Sequence, residues 1–501
     1  MTRLPLAYGS RLAVVDVGED AVVIAPPPPV EPIADVAAAV RDALRFPLAG
    51  QSLEALVPRG GRATVVVEPP ALPIPGSPAD PRRTAIAATM LELDRAGAPL
   101  EKQTLLVAGG LSRRAAHREL ELLVQPEFAR RFHGKVEVHD AESPDLVEVG
   151  GTGRPLLAHR ALAEADIVVP VSAAESVLSG GAATLLAASG AEALRAADAY
   201  SLLETSASGG WKLAVELERA LAQRVPLLGV SLTLNTPALG GVLHGYPHDP
   251  EAVDRIANFP LRGLFGLLPG AVRRGIFRRL PSELSALAVF AGPPSVAHAE
   301  ALVRGVDSKS ARLDERLDAI CIGIPQVTPH LPREAPNPAL AAYLGLGLAL
   351  RLWRDSFPLV EGGTAILLSR FRRRFPHPTQ QPYRAFFQAL RSSGAREPEE
   401  LLQAEREAAA DSRAIDAYRG GRSCHPLLPF LEWSACQPAI GRLGAVLVAG
   451  CRDAAAARQL GFVPTHGIGA AVAMAHGRTD RPARIGYLLS PPYFPLRAPP
   501  G

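Results

Sequence analysis

The stretch ADIVVPVSAAESVLSGGAATLLAASGA, Ala165 to Ala191, decides how the rest of the chain is read. Its first third is a continuous apolar run, which predicts a strand buried on both faces. Its last third is rich in alanine and predicts a helix. Gly180 and Gly181 lie between the two. A glycine pair at a strand-to-helix turn means that backbone must come close to something. Yet Leu178–Ala191 carries no charge and no metal ligand.

Strand and helix alternate with short loops on both sides of this stretch. Helices are predicted at DVAAAVRDAL, over 83–97 with Gly97 as its stop, at RAAHRELELLV (114–124), and at HRALAEA. Strands are predicted at RATVVVEPP, QTLLVAGG and KVEVHDA. RLAVVDVGEDAVVI (11–24) reads as a hairpin turning at Gly-Glu-Asp. The alternation over 60–240 predicts a mostly parallel sheet covered by helices. Ligands bind such sheets at the carboxyl ends of strands, so EPPALPIP, AGGLSRR, VSAAES and SGGAAT are the loops of interest.

A second α/β unit follows, with strands at LDAICIGIP, GGTAILLSRF, RLGAVLVAGC and RIGYLLSPPYFPL and a long helix at PALAAYLGLGLALRLWRDSF. The fold class expected is therefore α/β: two domains, 1–300 and 301–501, with mostly parallel sheets flanked by helices and a cleft between them. Residues 240–285 look like an insertion. Within them, 259–280 is apolar and basic with no acidic residue, which fits a packed helical hairpin or a weak membrane-surface contact.

The chain has 501 residues, 48% hydrophobic and 21% charged, a globular balance. A net charge of +3 is too small to argue for nucleic acid. Four cysteines with no C-x-x-C spacing predict free thiols and no zinc site. No apolar run reaches the roughly 18–20 residues of a spanning helix, and MTRLPLAYGS lacks a signal-peptide core. A cytoplasmic location is the expectation. Only four lysines occur, Lys102, Lys135, Lys212 and Lys309.

VHDAESPDLVEVGGTGRPLLAHRALAEADIVVPVSAAESVLSGG (138–181) resembles the N-terminal domain of the nickel-pincer lactate racemase family. The likeness rests on His139-Asp140-Ala141, on Val149 to Pro155, and on Glu164-Ala165-Asp166. LLVAGGLSRR (105–114) and VVVEPPALPIP (65–75) resemble two further loops of that family. The resemblance implies a 2-hydroxy-acid racemase or epimerase. It also implies nickel held by a pyridinium mononucleotide tethered to a lysine in the glycine-rich turn, with histidines as acid, base and metal ligand. The tether position falls at about Ala183. One histidine position falls at Ser112, another near Ala174-Glu175, and the metal-ligand position within Asp198–Leu202. The family's Asp and Arg fall on Pro69 and Leu72. No pincer cofactor and no metal site are therefore expected, and a small carboxylate or nucleotide-like ligand is the expected partner.

Among the residues that remain, Glu175 and Glu68 are candidate acid/base groups, each otherwise a strand-end carboxylate. Ser112 and Arg113 are candidate anion contacts, or a helix cap with a surface arginine. Ser179, Gly180 and Gly181 either offer backbone N–H groups to a ligand or allow close helix–strand packing. His139 is read as structural. His425, His466 and His476 are read as structural or solvent-facing.

Overall fold

A computed structural model describes every residue except 1, 19–20, 74–76, 78, 116–122, 152, 154, 261, 326–334, 376, 394–395 and 501. Two six-stranded sheets organise it. The first runs Ala286–Gly292, Gly229–Leu234, Ile167–Ala173, Ala63–Val67, Gln103–Val107, Lys135–Val138. Every neighbour is parallel except the first pair, which is antiparallel. All seven residues of Ile167–Ala173 and all five of Ala63–Val67 are buried, as strands with helices on both faces must be. The chain adds strands outward from Ala63–Val67 on one side, then crosses to place Ile167–Ala173 on the other. The order therefore reverses between these two strands, and their carboxyl ends open a crevice.

The helix Pro81–Ala96 is begun by Asp80, whose side chain accepts from the Arg82 amide, and is stopped by Gly97 at φ +121°. The 114–124 helix lies mostly outside the described residues.

The second sheet runs Val463–Thr465, Leu443–Ala449, Leu359–Leu368, Leu317–Gly323, Ile485–Leu488, Val22–Ile24, all parallel. It too reverses, between Leu317–Gly323 and Ile485–Leu488. Its outermost strand comes from the N-terminus, which corrects one expectation. Residues 11–24 do not form a hairpin. Leu12–Val17 pairs back onto Thr2–Ala7, and Val22–Ile24 leaves to join Ile485–Leu488. Alternation gives a strand but not its partner. Here burial chooses: Leu4, Leu6, Val15 and Val17 pack with Cys321, Ile366 and Leu447 of the second sheet. The helix Pro294–Lys309 straddles residue 301 and packs on the first sheet, as Thr233 Oγ1 donates to the Ala301 carbonyl at 2.8 Å.

The long helix expected from residue 338 is shorter and irregular. It widens into a π-type turn at Tyr343–Leu348 and ends at Arg351. A Cβ on Gly345 would lie 2.6 Å from Leu367 Cδ2, so the widened turn lets helix backbone approach the sheet. The helix Leu428–Ile440 escaped the sequence reading. It is buried on most sides and so lacks an apolar period, and it contains Pro429 and Pro438. In the 240–285 region, Arg262–Leu267 and Gly270–Arg278 form a helical hairpin. Buried Arg273 holds it, donating to Ser10 Oγ at 3.1 Å and to the Gly266 carbonyl at 2.8 Å. Among the described residues no helix is long and apolar enough to cross a membrane.

The carboxyl edges of the two sheets face each other and are tied by polar contacts. Arg351 is buried and donates to the carbonyls of Ala199, Tyr200 and Gly347, while its own carbonyl accepts from the Leu202 amide at 2.9 Å. Tyr418 donates to the Gly110 carbonyl at 3.0 Å and accepts from the Ala141 amide at 3.1 Å. Arg195 forks onto Glu405. Replacing a buried donor strands its acceptors. Arg351→Met is expected to lower the unfolding free energy by about 3 kcal/mol in urea titrations; a loss under about 1 kcal/mol would contradict the tie.

Candidate functional site

Glu68 follows Val67, and Glu175 follows Ala173 and Ala174, so the two carboxylates flank the crevice where the first sheet reverses. Their surroundings differ. Glu68 Oε1 accepts from Ser179 Oγ at 3.0 Å and Thr184 Oγ1 at 3.2 Å. Burial pushes its carboxyl up to about 7; the nearby Glu175 charge adds to this and the two hydroxyls oppose it. Glu175 Oε2 accepts from the amides of Ala71 at 2.9 Å and Leu72 at 3.3 Å. Its Oε1 accepts from Arg82 Nη1 at 3.2 Å, and Arg82 also pairs with Asp80 at 2.6 Å. Glu175 thus holds the 69–73 loop against the helix Pro81–Ala96.

The glycine turn presses on a side chain. Gly180 has φ +102° and Gly181 φ +57°. A Cβ on either would overlap His298, and would also meet the Ala173 carbonyl at 2.7 Å or the Pro294 carbonyl at 2.6 Å. The Gly181 amide donates to Ser172 Oγ at 2.9 Å, and the Ser179 amide points to the Ser176 carbonyl at 3.3 Å. His298 is fully buried; its Nε2 bonds the Ser176 carbonyl at 2.9 Å and its Nδ1 faces Ser231 Oγ at 3.3 Å. Burial lowers it to about 4, which favours the uncharged imidazole at neutral pH.

The other sequence candidates lie apart from this crevice. Ser112 and Arg113 occupy the loop after Gln103–Val107, where Arg113 reaches the Gly421 carbonyl at 3.4 Å. The segment around Tyr418 and His425 covers that loop. His425 is fully buried, its amide on the Leu111 carbonyl at 2.9 Å and its Nε2 on Glu142 Oε1 at 3.0 Å. It therefore joins the two halves. His139 is buried and bonds the Ser189 carbonyl at 2.8 Å; burial lowers it to about 3. His466 and His476 are exposed. Cys321, Cys424 and Cys436 are buried free thiols, and Cys451 is a half-buried one.

A cavity of about 50 Å³ lies where the carboxyl edges of the two sheets meet. Leu72, Ala174, Glu175 and Asn235–Pro237 line it from the first sheet. Pro26, Pro491 and Tyr493 line it from the second, and Lys309 reaches it from the end of the helix Pro294–Lys309. Burial lowers the Lys309 amine to about 8, against the opposing pull of Glu175. Lys309, Thr236, Tyr493, Arg82 and His298 all escaped the sequence reading. The one available signal was a lysine in a chain that has only four.

Two facing, doubly wound sheets, mostly parallel, with a cavity between their carboxyl edges define a two-domain α/β architecture. The lactate racemase apoprotein from Thermoanaerobacterium thermosaccharolyticum superposes with a TM-score of 0.61 at 14% identity, over 99% of this chain and 100% of that one. A crystal structure of a Thermotoga maritima protein matches at a TM-score of 0.50 and 10% identity, over 93% and 97% of the two chains. Residues 8–190 match the family model of the lactate racemase N-terminal domain. No curated protein matches the sequence.

Glu68 supplies a test of the crevice electrostatics. Its folded pKa lies above the ordinary 4.5, so as pH rises from 4.5 to about 7 the unfolded chain ionises first and stability falls. Glu68→Gln keeps an acceptor for Ser179 and Thr184 and removes the charge. Relative to wild type it is expected to be near neutral at pH 5 and stabilising by about 2 kcal/mol at pH 8, a figure discounted for partial solvent screening. Denaturant unfolding at both pH values measures it, and a difference that does not change with pH contradicts the burial of Glu68.

Proposed function

We propose that this chain is a divergent member of the lactate racemase fold that binds a small carboxylate or nucleotide-like ligand between its two sheets, without the nickel pincer. The cavity at the facing carboxyl edges, with Glu175 and Lys309 at its wall, carries the reading. Such edges are where ligands of parallel α/β sheets bind, and a mostly apolar pocket with a few polar groups is the usual form of a small-molecule site.

The residues present do not fit a pincer nucleotide. The tether position falls at about Ala183, which is 4% exposed and packs among Val66, Leu106 and Leu185, with no amine to form a thioamide. The ligand position within Asp198–Leu202 holds no imidazole, and Arg351 pins that segment through backbone carbonyls.

One observation favours a second reading, acid/base chemistry on a 2-hydroxy acid or a related acid. Glu68, pushed up to about 7 at the crevice, is poised to exchange a proton near neutral pH. In this reading Glu68 moves the proton, Ser179 and Thr184 hold its carboxyl, and Glu175 fixes the loop beside it.

Nickel analysis of the purified protein, with intact-mass measurement, separates these readings from the family's chemistry. The expected result is no stoichiometric nickel, no nucleotide-sized covalent adduct and no racemisation of lactate. Stoichiometric nickel together with such an adduct would overturn the proposal.

A further inference from the structure

We propose that the cavity between the sheets is a monocarboxylate site, in which the Lys309 ammonium and the hydroxyls of Thr236 and Tyr493 hold the carboxylate of a ligand whose body is apolar. This rests on the cleft-ligand reading above and narrows it to one class of ligand and one set of residues.

Three polar groups in this cavity have no partner. Thr236 Oγ1 and Tyr493 Oη are buried and make no hydrogen bond, in residues only 7% and 5% exposed. Lys309 makes no hydrogen bond or ion pair with any described residue. A buried hydroxyl left unpaired costs about 1–3 kcal/mol, so two of them, in residues that line the same cavity as Lys309, call for a partner that accepts hydrogen bonds. The neighbours that might serve are already engaged. Both oxygens of Glu175 are taken by the 71–72 amides and Arg82. Asn235 uses its amide on the Val30 backbone and Ser285.

The helix is shaped to send Lys309 inward. Gly305 lies one turn before it, and a Cβ there would touch Lys309 Nζ at 3.7 Å and Thr233 Cγ2 at 3.6 Å. The bare backbone at Gly305 lets the lysine fold over the helix toward the strand Gly229–Leu234, away from solvent.

Charge and lining select the ligand. Among the described residues Lys309 is the one cation lining the cavity, and Glu175 faces the same space. A phosphate dianion would meet a single cation and a carboxylate; a carboxylate monoanion is balanced by Lys309 alone. Most of the remaining wall is apolar, including Leu72, Leu203, Leu234, Leu302, Leu352 and Phe494. Such a wall suits an aliphatic or aromatic body better than a ribose.

The test is calorimetric titration of the full chain with hexanoate, lactate and AMP. Wild type is expected to bind hexanoate most tightly of the three. Lys309→Met should weaken hexanoate binding at least about tenfold, and Tyr493→Phe about threefold. The titratable residues lining the cavity are Lys309, Glu175 and Tyr493, and burial raises the last out of range. With the free amine at about 8, wild-type affinity should fall about tenfold per pH unit above that value. This pH profile needs no variant, so it decides the matter even if Lys309→Met fails to fold. Hexanoate binding that is unchanged in Lys309→Met, or flat with pH, overturns the site. Binding of AMP without hexanoate overturns the site and leaves the cleft-ligand reading standing. Failure of all three probes to bind overturns that reading as well.

Discussion

The contact between His298 and the Gly180–Gly181 turn sets the position of most of what matters in this molecule. His298 lies on the helix Pro294–Lys309, and its ring occupies the space a Cβ at either glycine would need. The helix is held close along its length. A Cβ on Gly229 would lie 2.7 Å from Pro294 Cα, Glu218 caps the helix start through the Ser295 amide at 2.9 Å, and Thr233 binds the Ala301 carbonyl. A helix drawn this tightly onto a parallel sheet has little freedom to shift, because close-packed interiors resist small displacements.

That placement has a consequence at each end of the contact. On the turn side, Ser179 and Thr184 are presented to Glu68, whose buried carboxyl is raised to about 7. On the helix side, the helix ends at Lys309, which reaches the cavity where the carboxyl edges of both sheets meet. The second sheet closes the space with Tyr493, while Arg351, Tyr418 and His425 fasten the halves through backbone groups. The crevice chemistry and the cavity thus depend on one packing arrangement in which a glycine pair and a neutral histidine are matched.

The sequence showed the fold class through its apolar strand runs. Ile167–Ala173 and Ala63–Val67 are apolar on both faces because both faces are buried, which is legible without a partner. It showed the glycine turn and the two flanking carboxylates for the same local reason. It did not show what the turn touches, because His298 is more than a hundred residues away and its helix carries a lysine, a histidine and an arginine without a metal or catalytic spacing. Lys309, Thr236 and Tyr493 meet only through the facing of two sheets, and no local pattern encodes that meeting. The N-terminal hairpin was misplaced because Leu12–Val17 alternates equally well for either neighbour, and the second sheet chose between them by burying Leu4 and Leu6. The helix Leu428–Ile440 was invisible because a helix apolar all round has no period.

The most direct test of this account is a double-mutant cycle between Gly180 and His298, read by equilibrium unfolding. Gly180→Ala alone is expected to be strongly destabilising, since the added Cβ overlaps the His298 ring and takes a positive φ. In a His298→Ala background the ring is gone, and the same change should cost at least about 1 kcal/mol less, although the Ala173 carbonyl still crowds the site. Costs that add within about 0.5 kcal/mol would contradict the claim that this turn exists to receive His298.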